Sequence, residues 1–187
     1  FVVPDGEGLI LVDAIFEYGS PRVVSETIAC PVRTIGKRHV LMTDIKAFEN
    51  GFITWDTLKI KVPGMDIWYL TYITDIDDVI DALTSYCHTL VIPYHSIKSD
   101  ECLEDARDFS DSILPAIFVH EGMIVGYDGG INELMDHLYS MGYTHFIIID
   151  EDGSFDWSTV RDKENVYACS QTSEIDIDGF CDEVRLL

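Results

Sequence analysis

Asp13, Asp44, His95, His120, Asp128 and Asp150 each stand where an apolar run gives way to a polar one. Their types suit proton transfer. Imidazole titrates near neutrality, and carboxylates around it raise its pKa, so the two together can act as general base and general acid. Asp13 is the expected base, with His120 or Asp150 as its partner. Asp44, His95 and the run Asp128-Gly129-Gly130 are expected to hold substrate. The paired glycines precede a helical pattern, where free backbone amides could receive a phosphate, although Asp128 itself repels an anion. Two imidazoles and several carboxylates on one rim could also hold a divalent metal for hydrolysis or enolisation. No H-x-H or H-E-x-x-H spacing accompanies them, so no metal ligand is assigned and no other cofactor is expected. A structural role competes at each position: either histidine can cap a helix or bond a carbonyl, and a Gly-Gly pair is often only a turn.

The elements that would carry these residues are most legible in 123–150, MIVGYDGGINELMDHLYSMGYTHFIIID. A short apolar run, a polar break, a helix with Ile131, Leu134, Leu138 and Met141 on one face, and a second apolar run ending at Asp150 make a βαβ unit. Parallel strands need such a crossover. The same rhythm recurs upstream. Residues 67–73 read as a strand, followed by a helix that Thr74 caps, with Asp75, Asp77 and Asp78 in its first turn and Ile76, Val79, Ile80 and Leu83 on one stripe. Residues 89–93 form a strand that delivers His95, before a helix capped by Ser99. Residues 113–119 form a strand that delivers His120, and Glu121-Gly122 turns tightly into 123–126, which should pair back antiparallel.

Earlier, 9–15 reads as a buried strand reaching Asp13, with a turn at Gly19, Ser20 and Pro21. The run 40–45 holds Asp44 near its end. Late in the chain, 166–169 is a further strand, and Ile177, Phe180, Cys181 and Val184 could share one short helix. The strands number about seven, near Asp13, Asp44, Ile73, His95, Val119, Asp150 and Cys169, and alternate with helices. That alternation predicts a parallel sheet covered by helices, in one domain over 1–187, and its single-step regularity favours a TIM-like (βα)8 barrel. Such barrels usually take about 250 residues, so this one must be trimmed or degenerate.

Composition narrows the partners. Thirty-four acidic against 12 basic residues give a net charge of −22. Nucleic-acid affinity rests on Lys and Arg neutralising phosphates, and anionic membrane needs them too, so neither is an expected partner. The basic group Arg33, Lys37, Arg38 and His39 reads as a loop balancing nearby carboxylates. Five scattered cysteines without a C-x-x-C pair fit a reduced, cytoplasmic protein with buried thiols. No apolar run reaches the roughly 18 residues of a membrane span, and no secretory signal pattern is visible.

Several runs resemble a known family. HVLMTDIKAFENG is similar to the second-strand signature of the histidine-biosynthesis (βα)8 barrels, the phosphoribosylformimino isomerase and the cyclase subunit of imidazole glycerol phosphate synthase. AIFVHEGMIVG and GGINELMDHLYSMGYTHFIIIDEDGS resemble that family's fifth strand with its hairpin extension, the following helix and the sixth strand. LILVDAIFEYG resembles its first strand, which places Asp13 at the position of the first catalytic aspartate. The resemblance covers about two thirds of the chain. It implies a barrel whose chemistry sits at the strand carboxyl ends and acts on a small phosphorylated metabolite. The chain departs from the family at two places: Phe118 stands where the second catalytic aspartate would be, and VYACSQTSEID lacks the late glycines that hold phosphate.

The expectation is therefore a diverged barrel relative, an isomerase or lyase of a small phosphorylated metabolite working by acid/base chemistry. Two alternatives stand beside it: a non-catalytic relative serving as a binding or assembly subunit, with a homo-oligomer covering a trimmed barrel's edges, and a divalent-metal-dependent hydrolase.

Overall fold

In a computed structural model, residues 2–5, 8–11, 13–25, 39–53, 66–84, 88–170 and 182–183 are described, with side chains over 14–23, 41–53, 68–84 and 88–170. Among the described residues twelve strands and four α-helices follow one another: β1 (Val2–Asp5), β2 (Gly8–Leu11), β3 (Asp13–Glu17), β4 (Ser20–Ser25), β5 (His39–Thr43), α1 (Ile45–Asn50), β6 (Asp66–Leu70), α2 (Ile76–Leu83), β7 (Thr89–Pro93), α3 (Asp100–Phe109), β8 (Ile113–His120), β9 (Met123–Ile124), α4 (Ile131–Ser140), β10 (Phe146–Asp150), β11 (Val166–Ser170) and β12 (Asp182–Glu183).

The large sheet runs β12-β11-β10-β8-β7-β6-β5-β1-β2, with β9 paired to β8. Its six central strands, β5, β6, β7, β8, β10 and β11, are parallel, lie side by side in chain order and curl into a half-barrel. Short β1 and β12 add parallel pairing at either end. Among the described residues no pairing joins the outer edges β2 and β12. The helices α1, α2, α3 and α4 lie in successive crossovers, whereas β10 reaches β11 through two 3-10 turns, Trp157–Thr159 and Lys163–Asn165.

Each strand sorts its side chains by parity. Tyr69, Leu90, Ile92, Ile117, Val119, Phe146 and Ile148 pack with Val79, Ala82, Leu103, Ala106, Leu134 and Leu138 from the helices. The alternate residues Leu41, Trp68, Leu70, Val91, Leu114, Ala116, Phe118, Ile147, Ile149 and Cys169 form a second core on the concave face. Ala14 and Phe16 of the β3–β4 hairpin fill that face, Phe16 meeting Phe118 edge-on at 4.9 Å. The hairpin thus plugs the hollow of the half-barrel.

The start of the chain differs from expectation. Residues 9–15 do not form one strand: β2 folds back antiparallel on β1, β3 opens the separate two-stranded sheet with β4, and the first strand to join the parallel sheet is β1. An apolar run shows no break where successive strands leave for different sheets. Asp13 consequently opens β3 and does not end a parallel strand. The other six expected strands are present, although those expected over 40–45 and 67–73 end at Thr43 and Leu70, and Glu121-Gly122 turns with φ of 50° and 73° into antiparallel β9. The expected helix near Ile177 lies largely outside the described residues, and β12 occupies Asp182–Glu183.

Candidate functional site

The carboxyl edge of β8 and β10 brings together one imidazole and one carboxylate. On β8, Leu114, Ala116 and Phe118 face the hollow, so His120 continues the same row; on β10, Ile147 and Ile149 do so, and the next residue in that row is Glu151. His120 Nδ1 lies 3.0 Å from Glu151 Oε2, an ion-pair distance at which Nδ1 is not well aligned for a hydrogen bond. The Glu151 side chain is fully buried. It is held from the other side by the hairpin tip: Tyr18 N–H donates to Oε2 at 2.8 Å and Gly19 N–H to Oε1 at 2.6 Å. Burial pushes the Glu151 carboxyl above its ordinary pKa, against the pull of the two amides and of His120.

The same tip meets two histidines. The Tyr18 ring stacks on His120 with centroids 4.0 Å apart. Gly19, at φ +77°, lies so close to the His95 ring that a Cβ would overlap it, and a Cβ on Gly126 would come within 2.6 Å of the His95 Cβ. These glycines are needed for close approach as well as for their positive φ. His95 sits in the 3-10 turn Tyr94–Ser96 after β7, edge-on to Phe118 at 5.1 Å. Burial lowers its pKa to about 4, so it is uncharged at neutral pH, and neither ring nitrogen has a formed hydrogen bond among the described residues.

Beside this group opens a cavity of about 740 Å³, lined by Tyr18 and His120, by residues 122–133 leading into α4, and by Ser154, Phe155, Asp156 and Thr159. With Nδ1 turned to Glu151, Nε2 is the His120 nitrogen left to serve the cavity. Asp128, Gly129 and Gly130 line it as well. Their role changes, however. A Cβ on Gly129 would strike the Tyr127 ring and come within 2.7 Å of Glu133 Oε2, so the chain's own carboxylate folds over the segment where a phosphate was expected. Gly130 is the N-cap of α4 and has no side-chain cap bond.

No protein-family model matches the chain, and no curated protein matches it.

Asp44 and Asp150 do not join the cavity lining described. Asp44 is the buried N-cap of α1: its Oδ1 accepts the Ala47 N–H at 3.0 Å and its Oδ2 the Tyr69 hydroxyl at 2.7 Å. Asp150 continues the helix-facing row of Phe146 and Ile148, its Oδ1 accepting the Gly153 N–H at 3.0 Å. Its Oδ2 is buried without a hydrogen-bond partner among the described residues, and burial raises its pKa. Asp13 lies outside the described side chains, as do the basic residues Arg33, Lys37, Arg38 and His39.

Glu151 and Tyr18 are the residues that sequence reasoning missed. The signal for Glu151 was the two-residue period of β10: apolar Ile147 and Ile149 share a face with 151, whereas Asp150 belongs to the other. Tyr18 has no comparable signal, because its place depends on how the hairpin docks. Among the described residues no group of three His, Cys, Asp or Glu side chains is arranged to hold a metal ion, and no helix is long and apolar enough to cross a membrane.

Proposed function

We propose that this protein is an acid/base enzyme of the isomerase or lyase class, acting on a small metabolite in the cavity at the carboxyl ends of β8 and β10. His120 is the proton-transfer group, and Glu151 orients its ring and stabilises the imidazolium that forms. The observation that carries the reading is the contact of His120 Nδ1 with a fully buried carboxylate, while the same imidazole lines a cavity large enough for a metabolite. A base with a third group beside its far nitrogen is the usual arrangement for proton abstraction, and Glu151 occupies that place at ion-pair distance. Parallel strands in chain order and the position of the cavity at their carboxyl edge support a relationship with the histidine-biosynthesis barrels and completion of a trimmed barrel. The base expected at Asp13 becomes His120 in this proposal, one of its two expected partners, and Glu151 takes the place expected of Asp150.

The test is a deuterium-exchange screen. The protein is incubated in D₂O with a panel of carbonyl, imine and hydroxy-acid metabolites, and solvent deuterium at carbon is read by mass spectrometry. His120→Asn should lower the rate on any responding compound by about 10²–10⁴-fold. Exchange unchanged in that variant defeats the assignment of His120. One observation favours a second reading, a binding or assembly subunit: Phe118, where the resembled family places a catalytic acid, is packed between Phe16 and His95. No exchange with any compound, together with dimers in sedimentation, would favour that reading.

A further inference from the structure

Under its tip the β3–β4 hairpin covers polar atoms that it does not satisfy. His95 is the chief of them. Both its ring nitrogens are buried and without a formed hydrogen bond among the described residues, so what exposure the residue has is through its other atoms. The Gly19 N–H is already given to Glu151, which leaves the glycine only a carbonyl to offer one of the two nitrogens. Burial takes the His95 pKa down to about 4, against a pull from the Gly19 backbone. Thr43, fully buried and next after Leu41 on the concave face, likewise carries a hydroxyl without a partner among the described residues. Buried polar groups are normally paired, and the exceptions mark stored strain or a functional surface.

The wall between His95 and the cavity is thin. Gly126 lines the cavity and lies against the His95 Cβ, while Tyr18 lines it beside Gly19, which presses on the ring. His95 and His120 follow adjacent strands, β7 and β8, and the hairpin tip touches both. The tip is also lightly held. Among the described residues β3 and β4 pair only with each other. Phe16 and Pro21, opposite one another and both buried, seat the strands. Beyond them, Tyr18 and Gly19 reach the large sheet through two N–H bonds to the single carboxylate of Glu151. Tyr18 is 56% exposed and holds φ at 51°, where a residue other than glycine is strained.

We infer that the turn Tyr18-Gly19 is a lid. Closed, it clamps Glu151, covers one face of His120 and shuts off His95. Lifted about Phe16 and Pro21, it opens the His95 nitrogens to the cavity, where they form a second, uncharged imidazole beside the first. The lid stands on the geometry of the tip, and only the use of His95 on the same occupant rests on the proposed acid/base reading.

The test joins two measurements on the full chain at pH 7 over low urea concentrations: native-state hydrogen exchange at the Tyr18, Gly19 and Ile148 amides, and modification of histidines by diethyl pyrocarbonate mapped by mass spectrometry. Because His95 is uncharged there, its rate reads access; exposed His145 is the internal reference. The two tip amides are expected to open in a step that urea hardly favours, since little surface is uncovered, whereas Ile148 opens in the steeply urea-dependent global step. His95 should react far more slowly than His145 and with the weak urea dependence of the tip. Glu151→Gln should speed tip exchange and His95 modification together by about tenfold, as expected for one lost amide bond. Gly19→Ala, which drives a Cβ into the ring, should act in the same direction and serves as a second variant should the first disturb the fold. Three results overturn the lid: the tip amides and His95 opening only with Ile148, His95 reacting as fast as His145 in the native chain, or a tip that opens alone while His95 stays protected. The catalytic reading fails separately, when the lid opens as described and His120→Asn leaves proton exchange at carbon unaltered.

Discussion

Replacing Glu151 by Gln tests the centre of the argument with almost no change of shape. The native carboxylate accepts two backbone N–H groups, from Tyr18 at 2.8 Å and Gly19 at 2.6 Å, and faces His120 Nδ1 at 3.0 Å. The amide of Gln offers one oxygen. If that oxygen keeps the Gly19 N–H, the NH₂ group faces the Tyr18 N–H, and one donor loses its partner. An orphaned donor costs about 1–3 kcal/mol, and loss of the charge offsets part of that, because burial already disfavours the ionised carboxyl. The expected loss is about 1–2 kcal/mol, and for a chain of this size roughly 2–4 °C of melting temperature per kcal/mol. Thermal unfolding reads the global part of that loss. Hydrogen exchange at the Tyr18 and Gly19 amides reads the local part, and both should exchange faster because the hairpin tip is no longer held. An unchanged melting temperature with unchanged protection at these two amides would refute the clamp, and with it the role of Glu151 in orienting His120.

Three further outcomes follow from the same geometry. Gly19→Ala puts a Cβ into the His95 ring at a positive φ, and urea denaturation should show a loss of about 2–3 kcal/mol; a loss below 0.5 would mean that the tip does not press on His95. Asp44→Ala removes the α1 cap and leaves the Tyr69 hydroxyl short of an acceptor, for about 2–4 kcal/mol, with proton exchange on any substrate retained because Asp44 is structural. Burial raises the carboxyls of Asp150 and Glu151, so the folded chain binds more protons than the unfolded one between the ordinary carboxylate range and the raised values. Their contribution to stability is therefore present at the low end of that window and lost as pH rises through it. As pH is lowered from 7 into the window, the native chain should gain melting temperature relative to Asp150→Asn, and an equal slope in both proteins would remove Asp150 as a source.

Where a strand is continuous and buried on both faces, its sequence announces it. Residues 113–120 and 146–150 needed nothing beyond their apolar runs and the flanking turns, and the α4 face was legible from Ile131, Leu134 and Leu138. Caps were legible to within a residue: Asp75, rather than Thr74, caps α2, with Thr74 bonding Asp78 instead. The site was harder because it depends on which face a residue takes. Asp150 and Glu151 are adjacent acids at a strand end, and only the alternation along β10 separates the one facing the helices from the one facing the hollow. The hairpin was hardest. Nothing local in residues 13–25 says that Ala14 and Phe16 will fill the concave face or that backbone amides at 18 and 19 will seek a carboxylate 133 and 132 positions away.

That separation sets an order of events. A contact spanning so much of the chain is slow to find by chance, since closing a long loop costs entropy before any bond repays it. Glu151 reaches its place only once β10 lies beside β8, and the tip can grip it only afterwards. The amides of Tyr18 and Gly19 should thus gain protection after those of Ile147 and Ile148 in pulse-labelled refolding, and the reverse order would contradict this. A chain in which the clamp has formed has already aligned β8 and β10, so the grip of the Tyr18 and Gly19 amides on Glu151 reports from the hairpin that this distant pair of strands is in register.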